Sequence, residues 1–263
     1  VKSSQTVVVT GAASGIGKAT ALMFAAQGAD VFTCDREYSS DVLTKFREAG
    51  VSTAVGDVRS VKDLESLIHS AVSATGCLDV LVNNAGIGLV KQIDQVTEDE
   101  WQNVMDTNVK AAFFGCRAAI AQMTTQASGG SIVNVASNAG LLPRTHDPVY
   151  SISKISLVGL TRSLALCHSK DKIRINAVCP GPVDHTTLIE ENFIGGTDRQ
   201  DVVRQLISAS PLARAWDRMI APEEVAAAIG YLASDAAKMI TGTSIAIDGG
   251  KSLGVPPEPD TMQ

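Results

Sequence analysis

Seven short runs of β-branched and apolar residues recur along the chain, with longer helix-leaning stretches between them. The runs are "TVVVT" (6–10), "DVFTCD" (30–35), "STAVGD" (52–57), "DVLVNN" (79–84), "SIVNVA" (131–136), "RINAVCP" (174–180) and "SIAIDG" (244–249). Helical patterning falls near 15–27, 39–49, 60–75, 97–126, 148–169 and 222–234. Strands that read as near-continuous apolar runs belong to parallel sheets covered on both faces. Right-handed crossovers between them predict an α/β fold: a doubly wound, mostly parallel seven-stranded sheet with helices on both faces. At 263 residues with 45% apolar content, one large domain can bury its own core.

Composition narrows the function classes. The net charge is −6 and no Lys/Arg-rich run occurs, which argues against a nucleic-acid or anionic-membrane partner. No apolar run reaches about 18 residues, so no spanning helix is expected, and the first residues show no basic-then-apolar leader. The five cysteines (Cys34, Cys77, Cys116, Cys167 and Cys179) are scattered, odd in number and never spaced C-x-x-C. They point to a reducing, cytoplasmic setting without a disulfide frame or a metal site.

The segment "TGAASGIG" (10–17) follows the first strand and opens a helix. Gly11, Gly15 and Gly17 permit a tight turn and close backbone approach, and the helix N-terminus offers free N–H groups to a pyrophosphate. Its spacing is G-x-x-x-G-x-G. About 20 residues on, Asp35 ends the second strand, where an acid binds ribose hydroxyls. That carboxylate repels a 2′-phosphate by about 2 kcal/mol in water at ~4 Å, and by about 8 at an effective dielectric of 20. This favours NAD over NADP. Arg36 can blunt the preference by pairing with a phosphate, while Ser14 adds no positive charge.

With these residues and "GDV" (56–58) and "NNAG" (83–86), the chain resembles the short-chain dehydrogenase/reductase family in its compact single-domain branch. The likeness covers about residues 5–250 and implies a Rossmann-type NAD(P)-binding domain spanning 1–263. It also implies the cofactor contacts: Gly11, Ser14, Gly15, Ile16 and Gly17 in the turn; Asp35 and Arg36; Asp57, toward the adenine, and Val58; Asn84, Ala85 and Gly86; Tyr150 and Lys154; Pro180, Gly181, Val183 and Thr186. The catalytic set it implies is Asn108, Ser137, Tyr150 and Lys154. Ser137 lies at the edge of the fifth strand, and Tyr150-x-x-x-Lys154 matches the family signature. The implied assembly is a homotetramer joined through the helices at 97–126 and 148–169 and the last helix and strand.

The chemistry suits the residue types. Oxidising an alcohol needs a base for the hydroxyl proton, and reducing a ketone needs the same group as an acid. A free tyrosine, with pKa about 10, is only about 0.1% ionised at pH 7. Lowering it by two to three units takes about 3–4 kcal/mol. An ammonium about 4 Å away supplies about 4 kcal/mol at an effective dielectric of 20. Residues at i and i+4 share a helix face, so Lys154 is expected to lower the Tyr150 pKa. Ser137 then hydrogen-bonds the substrate oxygen, and Asn108, by resemblance, holds a water joined to Lys154.

The expected reaction is hydride transfer between NAD and a secondary alcohol or ketone. The alternatives are an NADPH-dependent 3-oxoacyl reductase and a non-catalytic dinucleotide-sensing regulator; the complete set of four residues disfavours the latter. Departures from the family pattern gather late in the chain. His185 stands where the family has Thr, with Thr186 after it, and Trp216 replaces a Gly. Residues 186–221, with Gly195 and Gly196 inside, are expected to form a substrate lid closed by Trp216. Arg144, His146 and His185 are expected near the pocket mouth, and 255–263 as an extended tail.

Overall fold

The computed structural model describes residues 4–142, 144–186 and 199–254. Each expected strand forms: β1 (Thr6–Thr10), β2 (Asp30–Asp35), β3 (Ser52–Val55), β4 (Val80–Asn83), β5 (Gly130–Val135), β6 (Ile173–Pro180) and β7 (Ser244–Ile247). They hydrogen-bond in the order β3-β2-β1-β4-β5-β6-β7. All six pairings are parallel, so the sheet is wholly rather than mostly parallel among the described residues. The chain reverses direction across the sheet between β1 and β4, the place where open α/β sheets bind ligands.

Alternation along the strands feeds two cores. Val7, Val9, Val80, Val82, Val133 and Val135 face α1 (Gly15–Ala26), α2 (Ser40–Glu48) and a late helix, Pro222–Ala233, through Phe24, Phe46, Ile229 and Leu232. Val8, Leu81, Ile132 and Ile175 face the opposite layer, through Leu67, Ile68, Cys116 and Met123. That layer comprises α3 (Val61–Thr75), α5 (Ala111–Met123) and α6 (Pro148–His168). Helix starts follow local chemistry. Ser39 and Ser60 accept from Val42 N–H and Asp63 N–H, and Thr97 with Glu100 forms a capping box at α4 (Glu98–Met105).

The stretch 97–126, expected as one helix, is divided. A π-helical segment, Asp106–Lys110, separates α4 from α5 and carries Asn108. Such bulges interrupt α-helices mostly as single turns and are frequent at functional sites. The late excursion contains α7 (Arg199–Ser208) and α8 (Pro211–Trp216) before α9 (Pro222–Ala233). Gly195, Gly196 and the tail 255–263 lie outside the described residues.

Buried polar side chains tie α6 to the sheet. Asn83 Nδ2 donates to Asn134 Oδ1 at 2.9 Å, Asn134 Nδ2 to Thr161 Oγ1 at 2.9 Å, and Thr161 Oγ1 to Leu157 O at 2.8 Å. The chain of bonds runs β4–β5–α6 and sets the register of the helix that bears Tyr150 and Lys154; buried networks of this kind specify a single arrangement when fully satisfied.

Gly129, just before β5, has φ +68°, and a Cβ there would sit 2.2 Å from Lys172 O. Gly129→Ala is therefore expected to destabilise the fold by about 3 kcal/mol, from backbone strain and the clash. A urea midpoint equal to that of the wild type would contradict this account.

Candidate active site

A cavity of about 540 Å³ runs along the carboxyl edge of the sheet, from Asp35 and Asp57 at one end to Ser137, Tyr150 and Arg144 at the other. Its floor is the glycine turn. Gly11 takes φ +66°, and a Cβ on it would lie 2.7 Å from Ala85 Cα; Gly15 takes φ +48°, and a Cβ on it would lie 2.9 Å from Thr186 Cγ2. Only glycine tolerates both the backbone and the closeness. Among the described residues no side chain caps α1 and no acid stands in its first turn, which suits the helix start to an anion.

The expected cofactor residues gather here. Gly11, Ser14, Gly15, Ile16, Asp35, Arg36, Asp57, Val58, Asn84, Ala85, Gly86, Pro180, Gly181, Val183 and Thr186 all line the cavity, as do Tyr150, Lys154 and Ser137. Gly17 does not. A Cβ there would meet Gly11 O at 2.1 Å and Asn84 Nδ2 at 2.4 Å, so its role is close packing behind the turn. Asn84 Nδ2 donates to Thr10 O at 2.9 Å and Gly11 O at 2.7 Å, which fastens the turn to β4.

At the acidic end, Asp35 Oδ2 accepts from Ala13 N–H at 2.8 Å and Oδ1 from Arg36 N–H at 2.7 Å. Asp57 is gripped by Arg59, whose Nε lies 2.9 and 3.0 Å from its two oxygens. This pairing holds the Asp57 carboxyl below its ordinary range. Arg59 also donates to Asn103 Oδ1 at 2.8 Å. Sequence reasoning overlooked Arg59, although an arginine two residues from a cofactor-facing acid is a readable ion-pair signal.

At the other end, Ser137, Asn138, Tyr150, Lys154 and Asn108 are buried, each under a tenth exposed. Ser137 Oγ accepts from Ala139 N–H at 3.1 Å. Asn108 does not line the cavity. Its Oδ1 accepts from Ile87 N–H at 2.8 Å, and its Nδ2 donates to Ile87 O and Ser153 Oγ, both at 2.9 Å.

The electrostatics differ from the sequence expectation. Lys154 Nζ donates to Val135 O at 3.0 Å and lies 5.6 Å from the Tyr150 ring centroid. Burial lowers the lysine itself to about 8. Burial also raises the Tyr150 phenol above its usual value, with the Ser137 hydroxyl and the Arg144 charge pulling it down. Lys154 alone therefore does not lower the phenol, because desolvation penalises both charged forms. Burial thus favours the protonated form of Tyr150.

The late departures resolve unevenly. His185 adopts φ +52° and is 77% exposed beside Asp184, whereas Thr186 turns to the cavity, its Oγ1 donating to Val183 O at 2.9 Å. Of the three residues expected at the mouth, only Arg144 lines the cavity; His146 is exposed and 3.1 Å from Thr145 Oγ1. Trp216 is not part of the wall: it is 60% exposed, with the Arg218 guanidinium 5.0 Å from its ring centroid. Leu206 of α7 and Lys251 after β7 line the cavity instead, and no sequence pattern marked them. Among the described residues no cluster of His, Cys, Asp or Glu is placed to hold a metal ion, and no helix is long and apolar enough to cross a membrane.

A parallel sheet with a glycine cradle at its switch point and a buried Ser–Tyr–Lys group beyond it defines a nicotinamide-dependent oxidoreductase. The family described as enoyl-(acyl carrier protein) reductase matches residues 11–252. The 3beta-hydroxysteroid dehydrogenase 1 of Eggerthella lenta is 36% identical over 261 residues, covering 95% of this chain and 94% of its own. The cis-4-hydroxycyclohexanecarboxylate dehydrogenase of Sinomonas cyclohexanicum is 38% identical over 250 residues, covering 92% and 94%. The ligand-free aldohexose dehydrogenase of Thermoplasma acidophilum superposes with a TM-score of 0.86 at 30% identity, over 97% of this chain and 96% of that one. The chain belongs to the short-chain dehydrogenase/reductase family. It is an oxidoreductase acting on CH–OH groups, moving a hydride between a nicotinamide cofactor and a secondary alcohol or its ketone.

The depressed Lys154 predicts a pH signature. Below about 8 the ammonium is charged in both folded and unfolded chains, and burial destabilises the fold. Between about 8 and the unfolded value the folded lysine is neutral while the unfolded one is not, so stability is regained as pH rises. The stability of wild type relative to Lys154→Met is thus expected to increase by about 3 kcal/mol between pH 7 and pH 10.5. Paired denaturant titrations at the two pH values check it; a flat difference counts against a buried, depressed lysine.

Proposed function

We propose that Tyr150 exchanges the proton with the substrate oxygen, that Ser137 holds that oxygen, and that NAD is the preferred cofactor. The single observation that carries the reading is the joint presence of Ser137, Tyr150 and Lys154 at one end of a cavity whose other end is Asp35. The nicotinamide, when bound, supplies or accepts the hydride. In reduction, the protonated Tyr150 donates to the ketone oxygen as charge develops there, and the Ser137 hydroxyl stabilises that charge. In oxidation the proton returns to the phenolate. The Ser137 hydroxyl and the Arg144 charge favour that phenolate, and Lys154 offers donors to the nicotinamide ribose. Asn108 positions these groups: it fastens the Ile87 backbone and the Ser153 hydroxyl, and Ser153 Oγ donates to Tyr150 O at 2.7 Å.

The dinucleotide reading rests on the glycine cradle and the open N-terminus of α1, with Asp57, Val58, Ala85, Gly86, Pro180, Gly181, Val183 and Thr186 along the same wall. Preference for NAD is supported by the Asp35 carboxylate in the cavity, which disfavours a 2′-phosphate; Arg36 beside it tempers the margin. The substrate is a secondary alcohol, and the relatives named for a hydroxysteroid and a hydroxycyclohexane support one borne on a ring. Leu206 in the wall supports a substrate-covering role for the described part of 186–221. Exposed Phe113, Ile152 and Ile155 on α5 and α6 support burial in a homotetramer, and five free cysteines agree with a reducing cytoplasm.

Tyr150→Phe is expected to lower turnover by about 10²- to 10⁴-fold while NADH still binds. Stopped-flow turnover with a ring alcohol, beside an NADH fluorescence titration, tests it; retention of a third of the activity removes Tyr150 from this role. Asp35→Ser is expected to weaken NAD and strengthen NADP. A wild type that already favours NADPH in steady-state assays would overturn the cofactor assignment.

A further inference from the structure

Two cations at the reacting end of the cavity carry neither the hydride nor the proton. Arg144 and Lys251 line it together with Ser137 and Tyr150. Arg144 is anchored: its Nη2 lies 2.9 Å from Asp147 Oδ2, and that carboxylate is 2% exposed. Asp147 Oδ1 in turn accepts from Ser151 Oγ at 3.0 Å, in the first turn of the helix that carries Tyr150. The Arg144 Cζ stands 5.9 Å from the Tyr150 ring centroid. With one terminal nitrogen committed to Asp147, the rest of its fork remains for a ligand.

Lys251 reaches the cavity from the turn after β7. Buried Asp248 builds that turn, its Oδ1 accepting from Gly250 N–H at 2.9 Å and its Oδ2 from Ser252 N–H at 2.8 Å. Asp147 and Asp248 are thus engaged with the fold, whereas the Lys251 ammonium makes no hydrogen bond or ion pair among the described residues. Its half-burial and the Arg144 charge hold it below the ordinary lysine range, with Asp248 and Asp147 pulling the other way. A half-buried ammonium beside a guanidinium is unfavourable alone, and an anionic group between them relieves both the desolvation and the repulsion. The cations at the opposite end are placed differently: Arg59 is already neutralised by Asp57, and Arg36 flanks Asp35.

We propose that Arg144 and Lys251 receive a carboxylate of the substrate, so that the enzyme acts on hydroxy or oxo carboxylic acids. This rests on the reading of Tyr150 and Ser137 as the reacting pair. It sets the orientation: the carboxylate docks on the cations and the alcohol carbon is presented to Tyr150 from a fixed distance.

The test uses the full-length protein with NADH bound and two probes of equal shape, cyclohexanecarboxylate and cyclohexanecarboxamide, titrated by the change in NADH fluorescence. The acid is expected to bind at least about tenfold more tightly than the amide, as a charge-assisted contact requires. Lys251→Gln is expected to reduce that acid-to-amide ratio about tenfold and Lys251→Arg to keep most of it, with the melting temperature of each variant read alongside as a folding control. Equal binding of the two probes, binding of neither, or a ratio that Lys251→Gln leaves unmoved overturns the proposal. A loss of NADH affinity in Lys251→Gln without a change in the ratio also overturns it, because Lys251 would then serve a cofactor phosphate. Retention of activity by Tyr150→Phe is a separate result: it refutes the reacting pair and leaves the probe ratio to stand or fall by itself.

Discussion

Parallel pairing of all seven strands is the constraint on which the rest depends. It places every carboxyl end along one edge, and it buries both faces so that only that edge is left for polar work. Asp35 closes β2, Asn84 follows β4, Ser137 lies just past β5, and Pro180 and Gly181 end β6 and its turn. Residues far apart in the chain thereby line one cavity. The side chains that join the strand ends to each other act at the same edge. Thr10 Oγ1 accepts from Asn84 N–H at 3.1 Å and Ala85 N–H at 3.2 Å, which locks the glycine turn to β4.

The reacting end is electrostatically costly for the fold. Lys154, Tyr150 and Asn108 are almost wholly buried, and neither the lysine nor the tyrosine is at its ordinary pKa. Groups so shifted by burial are poised for proton transfer, and they are seldom kept where only stability matters. The polar chain from Asn83 through Asn134 to Thr161 holds α6 in register, and the π-helical segment at Asp106–Lys110 aims Asn108 at Ile87 and Ser153. Rigid support of this kind allows a few ångströms to matter at the site.

Much of the site was legible because its signals are local. Glycines at 11 and 15 mark positive φ values, the acid at the end of β2 lines the cavity, and Tyr150 and Lys154 share a helix face because they are four residues apart. What was misread depended on surroundings. Whether Lys154 lowers the Tyr150 pKa is decided by burial, which a four-residue spacing does not reveal. His146 and His185 were near the site by sequence position yet turn to solvent, and Trp216 stands under Arg218 instead of over the cavity.

The sequence by itself determined the alternation of strands and helices, the doubly wound sheet and the glycine cradle, and it singled out the residues proposed to react. These follow from period-two and period-3.6 patterning and from backbone conformations that only glycine adopts. Only the tertiary structure decided that Gly17 packs behind the turn, that Asp57 is held by Arg59, and that Arg144 and Lys251 meet at the same end of the cavity. Arg144 and Lys251 are 107 positions apart in the chain. Their proximity comes from the sheet edge that brings the loop before α6 and the turn after β7 to one cavity, a long-range packing outcome that no local pattern encodes.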